Sequence, residues 1–279
     1  MNDGRRVGAV CFDAGETLVY AHPSFPELFA EVVRERGHPI DPAVVQQGLA
    51  DFSKRFTEAF GEHRLWTTSP ERSRSFWMTI YREFLEQLGI DDPGGGTVTA
   101  LYERFSDLAS YRLHPDALPT LERLARAGVT LGLISNFEEW LERLLETLDV
   151  TRFFPVRVIS GVEGVEKPDP EIFRIALDRA GVAPEVSVYV GDHVEFDVEP
   201  AAEVGMLPVL IDRRGRYPEA DCIRISTPAC IFSQMRGTAS KMVGWISLMS
   251  SFRVSSDSPK LVTAPTLALS QCPKSFSYT

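Results

Sequence analysis

The sequence predicts an α/β fold: a parallel sheet covered by helices on both faces, with an all-helical unit inserted after the first strand and its turn. Two observations carry this. From His114-Pro115 onward, short apolar runs alternate with amphipathic segments, the rhythm of βαβ units. Between residues 21 and 110 the apolar side chains recur at helical spacing, and no convincing strand interrupts them. A third observation concerns function. The polar clusters at Asp13, Ser135, Lys167 and Asp192 each fall at or just beyond the carboxyl end of an inferred strand. That edge is where open α/β sheets bind ligands.

Val7–Phe12 is a short apolar run that reads as a buried strand, and Asp13 to Gly15 form the turn it feeds. Ser24-Phe25-Pro26-Glu27 fits a capping box, and Leu28, Phe29, Val32 and Val33 line one face of the helix it opens. Asp41-Pro42 places an N-cap before Pro at the first helical position, for a helix running towards Phe60. Ser69-Pro70-Glu71 opens a third, with Phe76, Ile80, Phe84 and Leu88 at helical spacing. A fourth is expected over Leu101–Leu108, after the break at Pro93-Gly94-Gly95-Gly96. The cap aromatics Phe52, Phe56, Phe60, Trp66, Phe76, Trp77, Tyr81 and Phe84 read mainly as core, with some facing a cleft. Beyond residue 111 come a helix at Leu118–Ala127, a strand at Val129–Ile134 and a helix at Glu138–Leu148. A strand at Val156–Ile159, a helix capped by Asp169-Pro170 and a strand at Val186–Val190 follow. A helix reaching Gly205, the strand Pro208–Ile211 and a closing strand from Ile223 complete the order.

The chain has 279 residues and a formal net charge of −10, which argues against a nucleic-acid partner bound by phosphate neutralisation. The charge is uneven. Residues 1–225 hold 24 Lys+Arg and 38 Asp+Glu, while residues 226–279 hold 5 Lys+Arg and the single acid Asp257. The expected division is therefore a core from residues 1–20 and 111–225, a helical insertion at 21–110, and an irregular, disordered or non-native tail at 226–279. The four cysteines show no metal-ligand spacing and no disulfide framework for the body; free thiols in a reducing compartment are expected. No apolar run has the length of a signal h-region or a membrane span, so a cytoplasmic protein without a membrane partner is expected.

Asp13 after a buried strand has a cap or a metal as its natural partners, and Thr17 returns a hydroxyl to the same turn. Ser135-Asn136 ends a second strand. Lys167 is one of only five lysines and sits in a Gly-x-x-Gly-x-x-Lys-Pro-Asp-Pro loop, where a fixed ammonium beside an anion suits phosphoryl chemistry. Asp192 and Asp197 put two carboxylates on one strand-end loop, an arrangement that calls for a divalent cation or a lysine to neutralise it.

The ordered set Phe12-Asp13-Ala14-Gly15-Glu16-Thr17-Leu18, Ile134-Ser135-Asn136, Lys167-Pro168-Asp169-Pro170 and Gly191-Asp192 to Asp197 resembles the four motifs of the haloacid dehalogenase-like (HAD) hydrolases. The segment Gly205 to Arg213 is similar to that superfamily's last strand region. The resemblance implies a Rossmann-like three-layer core with a helical cap inserted between the first and second motifs. It implies a phosphatase acting on a small phosphorylated molecule, with Asp13 the nucleophile of an aspartyl-phosphate intermediate and Thr17 in the catalytic turn. It also implies Mg²⁺ held by Asp13, the carbonyl of Gly15 and Asp192, with Ser135, Asn136 and Lys167 binding the substrate and Asp197 orienting Lys167.

One position departs from the family's phosphatases, which usually read D-x-D-G-T, the second Asp serving as general acid and base. Here that position is Gly15, and Glu16, His22 and His114 are the candidates for the role. General acid–base help is worth about 10²–10⁴-fold, so its loss weighs on alkyl phosphates more than on aryl or acyl phosphates. Three alternatives stay open: carbon–halogen hydrolysis, carbon–phosphorus hydrolysis through a Schiff base on Lys54, the only lysine of the insertion, and a catalytically weak domain that binds a ligand or partner.

Overall fold

Each strand of the main sheet sends alternate side chains into two separate apolar layers, and that alternation organises the molecule. The computed structural model describes residues 7–62 and 65–231, with the side chains of residues 50, 53, 54 and 56–62 outside the description. Six parallel strands, β1 (Ala9–Phe12), β4 (Thr130–Ser135), β5 (Val156–Ile159), β6 (Ser187–Gly191), β7 (Leu207–Ile211) and β8 (Ile223–Ile225), lie in the order β5-β4-β1-β6-β7-β8. Val10 and Phe12, Leu131 and Leu133, and Val188 and Val190 enter one layer, which also holds Leu121, Leu124, Leu141 and Leu144. Those leucines come from α5 (Ala117–Arg126) and α6 (Leu141–Thr147). Cys11, Ile134 and Tyr189 point the other way, against Ile172, Phe173, Ala176 and Ala201. These belong to α8 (Pro170–Ala180) and α9 (Glu199–Glu203), and a short helix α7 (Ser160–Glu163) follows β5. The result is the expected Rossmann-like three-layer core.

The chain order reverses on either side of β1. From β1 it builds outward through β4 and β5, then crosses to β6 and builds outward through β7 and β8. The carboxyl edge at β1 is therefore a topological switch point, where the loops diverge and leave a crevice.

Four helices lie between residues 21 and 111: α1 (Phe25–Glu35), α2 (Pro42–Glu62), α3 (Pro70–Gln87) and α4 (Gly96–Phe105). They share an apolar core of Leu28, Phe29, Val32, Val33, Tyr81, Phe84, Val98 and Leu101. The anticipated caps form. Glu27 N–H donates to Ser24 Oγ at 3.3 Å, Ala43 N–H to Asp41 Oδ1 at 2.8 Å, and Arg72 N–H to Ser69 Oγ at 3.3 Å. Trp66 stacks on Phe76 at 4.3 Å and Phe52 packs against Phe84 at 4.4 Å, so these aromatics pack as core, while the side chains of Lys54, Phe56 and Phe60 lie outside the described residues.

Several expectations need correction. The fourth helix begins at Gly96 rather than Leu101 and ends at Phe105. Asp92 is the cause: its carboxylate accepts from Thr97 N–H at 3.0 Å and Val98 N–H at 3.0 Å, so the glycine run starts the helix instead of merely breaking the chain. Two strands were not anticipated. β2 (Val19–Ala21) and β3 (Tyr111–Leu113) pair antiparallel, Val19 opposite Leu113, and close the neck of the insertion. Each is too short to show alternation, and its partner is some ninety residues away. Packing also continues past Ile225: Pro228, Cys230 and Ile231 are buried, the last two in the layer that holds α5. The expected features of the later tail, from residue 232, lie outside the described residues. Cys11 and Cys222 are free thiols as expected, whereas Cys230 is disulfide-bonded. Among the described residues no helix is long and apolar enough to cross a membrane.

The Asp92 cap gives a test. Its hydrogen bonds hold its carboxyl below the ordinary value, against the opposing pull of burial. A depressed folded-state pKa means stability that is present above the unfolded value of about 3.9 and lost as pH falls through the folded value. Asp92→Ala is expected to lower unfolding free energy by about 1 kcal/mol in urea titrations at pH 7, with the gap to wild type closing in strong acid.

Candidate active site

The switch point collects the carboxyl ends of three strands and one loop. Asp13 follows β1 directly, Ser135 ends β4, and Asp192 follows β6. Lys167 comes from the loop before α8. Asp13, Ser135, Lys167 and Asp197 are all buried. Lys167 Nζ donates to Asp13 Oδ1 at 2.8 Å and to Asp197 Oδ1 at 2.6 Å, while Ser135 Oγ donates to the same Asp13 oxygen at 2.9 Å. Tyr189, not singled out from the sequence, completes the group. Its hydroxyl accepts from Lys167 Nζ at 3.1 Å and donates to Asp197 Oδ1 at 2.9 Å.

The local backbone explains how Asp197 arrives. After His193 the chain makes one π-helical turn, Val194–Val198, with Asp197 N–H and Val198 N–H both donating to the His193 carbonyl at 3.1 and 3.3 Å. Such wide turns re-aim a side chain that an α-helix would carry away. Asp197 then folds back over Gly191, where a Cβ would stand 2.2 Å from the Asp197 carboxyl carbon. Only glycine leaves room for it. Asp197 Oδ2 also accepts from His193 N–H at 2.9 Å.

The electrostatics follow from two buried carboxylates, Asp13 and Asp197, and the partly buried Asp192 facing two cations. Burial would lower Lys167, but Asp13 and Asp197 hold its ammonium well above the ordinary value. Burial pushes Asp13 up despite the pull of Lys167, with Asp197 adding to the rise. Asp192 is pushed up to about 7 by burial, opposed by Arg216. Arg216, also not anticipated, donates to Asp192 Oδ2 at 2.6 Å and to its carbonyl at 3.0 Å.

The remaining expected residues are placed as follows. Both polar atoms of the Asn136 side chain are engaged with the Lys167 backbone, accepting from its N–H at 2.6 Å and donating to its carbonyl at 2.8 Å. Asn136, expected to bind substrate, clamps the loop that presents Lys167 and also lines the cavity beside Gly15. Thr17 is fully buried, its N–H donates to the Gly15 carbonyl at 2.5 Å, and its hydroxyl has no partner among the described residues. Glu16 is drawn into a 2.7 Å ion pair with Arg214. His114 is stacked on Tyr20 at 4.7 Å, and burial together with Arg213 lowers it to about 4, so it is uncharged at neutral pH. His22 lies in contact with Tyr20, its Nδ1 3.4 Å from the hydroxyl.

Beside Gly15 and Asn136 a cavity of about 250 Å³ opens between the inserted helices and the core. The residue before Lys167 braces the far side of this boundary. Buried Glu166 accepts from Trp66 N–H at 3.1 Å, Thr67 N–H at 2.9 Å and Thr67 Oγ1 at 2.5 Å. Ser160 Oγ donates to Thr67 Oγ1 at 2.6 Å, and Ser73 Oγ donates to Glu138 Oε1 at 2.6 Å. Apart from Trp66, read as a cap aromatic, none of these residues had been singled out, because nothing in a single chain pairs positions 65 to 100 residues apart.

A family model for haloacid dehalogenase-like hydrolases matches residues 7–205, and the chain belongs to that family. It is 30% identical over 219 residues to a haloacid dehalogenase-like hydrolase domain-containing protein 3 of Mus musculus, covering 78% of this chain and 86% of that one. It is 33% identical over 224 residues to a glyceraldehyde 3-phosphate phosphatase of Methanopyrus kandleri, covering 77% and 88%. Its fold is similar to that of a magnesium-bound HAD-hydrolase of Bacillus subtilis, with a TM-score of 0.67 over 82% of this chain and 99% of that one; at 16% identity the likeness is of fold alone.

Removing the one cation shared by two buried carboxylates leaves both without compensation. Lys167→Met is expected to cost about 3–5 kcal/mol at pH 7. The loss should shrink as pH falls, because protonating Asp13, whose carboxyl burial already pushes upward, removes one of the uncompensated charges. Urea unfolding of the variant between pH 4 and pH 8 measures both.

Proposed function

We propose that this hydrolase is a Mg²⁺-dependent phosphatase of small phosphorylated molecules, acting through an aspartyl-phosphate on Asp13. The observation that carries the reading is the buried Lys167 ammonium, shared by Asp13 and Asp197 at the switch point and joined on Asp13 by the Ser135 hydroxyl. A carboxylate attacking a phosphate dianion needs its repulsion screened at the point of attack, and these groups supply part of that screening.

The donor set also fits a hard divalent ion. Asp13 and Asp192 offer carboxylates and Gly15 a carbonyl, and with Asp197 the cluster sets three carboxylates against the two cations Lys167 and Arg216. Among the described residues no group of three His, Cys, Asp or Glu side chains is placed to hold a metal ion, so an ion here would draw on two carboxylates, a carbonyl and water. When bound there, Mg²⁺ would screen the phosphoryl oxygens from the attacking carboxylate.

The chain's own residues do the rest. Ser135 and Lys167 hold phosphoryl oxygens, Asp197 and Tyr189 keep Lys167 aimed, and Asp13 forms the new bond to phosphorus as the ester bond breaks. Water then attacks the aspartyl-phosphate, releasing inorganic phosphate and restoring the Asp13 carboxylate.

The test is phosphate release from acetyl phosphate by the full chain with Mg²⁺, an activated substrate that asks little of the organic side of the pocket. Asp13→Asn should lower kcat by about 10³-fold or more, and EDTA should abolish turnover until Mg²⁺ is restored. Turnover that survives either the Asp13→Asn substitution or EDTA would count against the reading.

A further inference from the structure

The cavity beside Gly15 is shaped and charged for a ring. Its volume is about 250 Å³, whereas a cavity of about 150 Å³ already accepts benzene. Phe25, Trp77, Tyr81, Phe105, Phe137 and Trp140 are among its walls. The rings support one another: Phe25 and Phe105 stack at 4.9 Å, Trp77 and Tyr81 at 5.5 Å, and Phe137 meets Trp140 edge-on at 4.7 Å. Tyrosines aside, the ionisable groups that line it among the described residues are Glu16 and Glu138. Arg74, whose guanidinium lies 4.9 Å from the Tyr102 ring centre, stands outside that lining. A carboxylate or second phosphate on the organic part would meet the Glu138 acid, since Glu16 is already paired with Arg214.

The same place offers the departing oxygen no proton. Gly15 has no side chain and a Cβ built there meets nothing within 4 Å, so the space is open. Glu16 is held by Arg214, the His114 ring is stacked on Tyr20, and His22 is exposed beside the Tyr20 hydroxyl and outside the cavity lining. The leaving group must depart as an anion. A phenol, with a pKa of about 10, does so far more readily than an alkyl alcohol close to water's value of about 15.7.

We propose that the preferred substrates are aryl phosphates, phosphorylated phenols whose ring carries no anionic group, with the ring seated in this aromatic cavity and Glu138 setting the bias against anions. This rests on the phosphatase reading above. The Asp13 carboxylate forms a bond to phosphorus, the P–O(aryl) bond breaks, and the phenolate takes its proton from solvent. Water then cleaves the aspartyl-phosphate, so that aryl phosphate and water give phenol and inorganic phosphate.

The experiment compares kcat/KM of the full chain with Mg²⁺ on phenyl phosphate, 2-phenylethyl phosphate, 4-carboxyphenyl phosphate and acetyl phosphate. Phenyl phosphate should exceed 2-phenylethyl phosphate by about 10²-fold or more, since the two differ chiefly in the need for a proton. It should exceed 4-carboxyphenyl phosphate by about tenfold, a gap that Glu138→Gln narrows. Gly15→Asp, which places an acid in the open space, should reduce the aryl-to-alkyl ratio by at least about tenfold. Should that variant not fold, substituted phenyl phosphates on the wild type serve instead, with rates falling as the phenol pKa rises. Acetyl phosphate turnover with equal rates on aryl and alkyl esters, or with no discrimination against the carboxylate, would overturn the proposal and leave the phosphatase reading standing. Inertness towards acetyl phosphate as well would remove both.

Discussion

The shared hold of Lys167 on Asp13 and Asp197 is the constraint from which the rest of the site follows. Three charges are buried together, and such ions persist only when each is paired and hydrogen-bonded. Satisfying them joins residues 154 apart and 30 apart in sequence. The sheet order makes this possible by placing β1 between β4 and β6, so that Asp13, Ser135 and the β6 loop meet at one edge. The supporting details serve the same end. Gly191 yields its volume to Asp197, the π turn aims it, Tyr189 bridges the lysine and the acid, and Asn136 grips the lysine's own backbone. The cluster still carries surplus negative charge, with Asp13 and Asp192 both pushed upward, and so stays matched to a cation.

The loop that supplies Lys167 also seats the inserted helices. Glu166, its neighbour, takes three hydrogen bonds from Trp66 and Thr67, and Ser160 adds a fourth through the Thr67 hydroxyl. Adjacent residues therefore face opposite duties: one holds the reacting end, the other the roof over the organic end. A shift of this loop cannot leave either alone, so the cavity wall and the ammonium position are mechanically linked. The β2–β3 pair closes the neck of the insertion from the other side, and between these two fixings lies the aromatic cavity.

How much of this was legible in the sequence depended on distance along the chain. Asp13, Ser135 and Asp192 announced themselves because each ends or follows an apolar run that is itself a local signal, and Lys167 because lysine is scarce in this chain. The caps Ser24, Asp41 and Ser69 were readable for the same reason, each acting within three residues. Tyr189 was hidden by its own strand, where a buried ring reads as core. Arg216 and Glu166 were hidden by ordinary composition, since one of many arginines or glutamates means nothing until a fold brings its partner near. Asn136 was noticed for its place beside Ser135, but its role depends on a backbone 31 residues away. Asp92 was missed although its action is local, because the glycine run after it reads more strongly as a break.

The loop after β7 changes the electrostatic picture that composition suggested. Lysine is scarce, and Lys167 alone stood out as a cation for an anionic substrate. Yet Asp212 folds the segment behind it by accepting from Arg216 N–H at 2.8 Å and Tyr217 N–H at 3.1 Å, and this projects three arginines towards the site. Arg213 forks onto Asp116 and reaches the Thr17 carbonyl at 2.9 Å, Arg214 takes Glu16, and Arg216 takes Asp192. An acidic body thus presents a locally neutralised mouth, which lowers the barrier to a phosphate dianion's approach. The same device explains the chemistry left undone. Arg214 holds the one acid nearest the open position at Gly15, so neutralising the entrance and withholding a proton from the leaving group are two effects of a single ion pair.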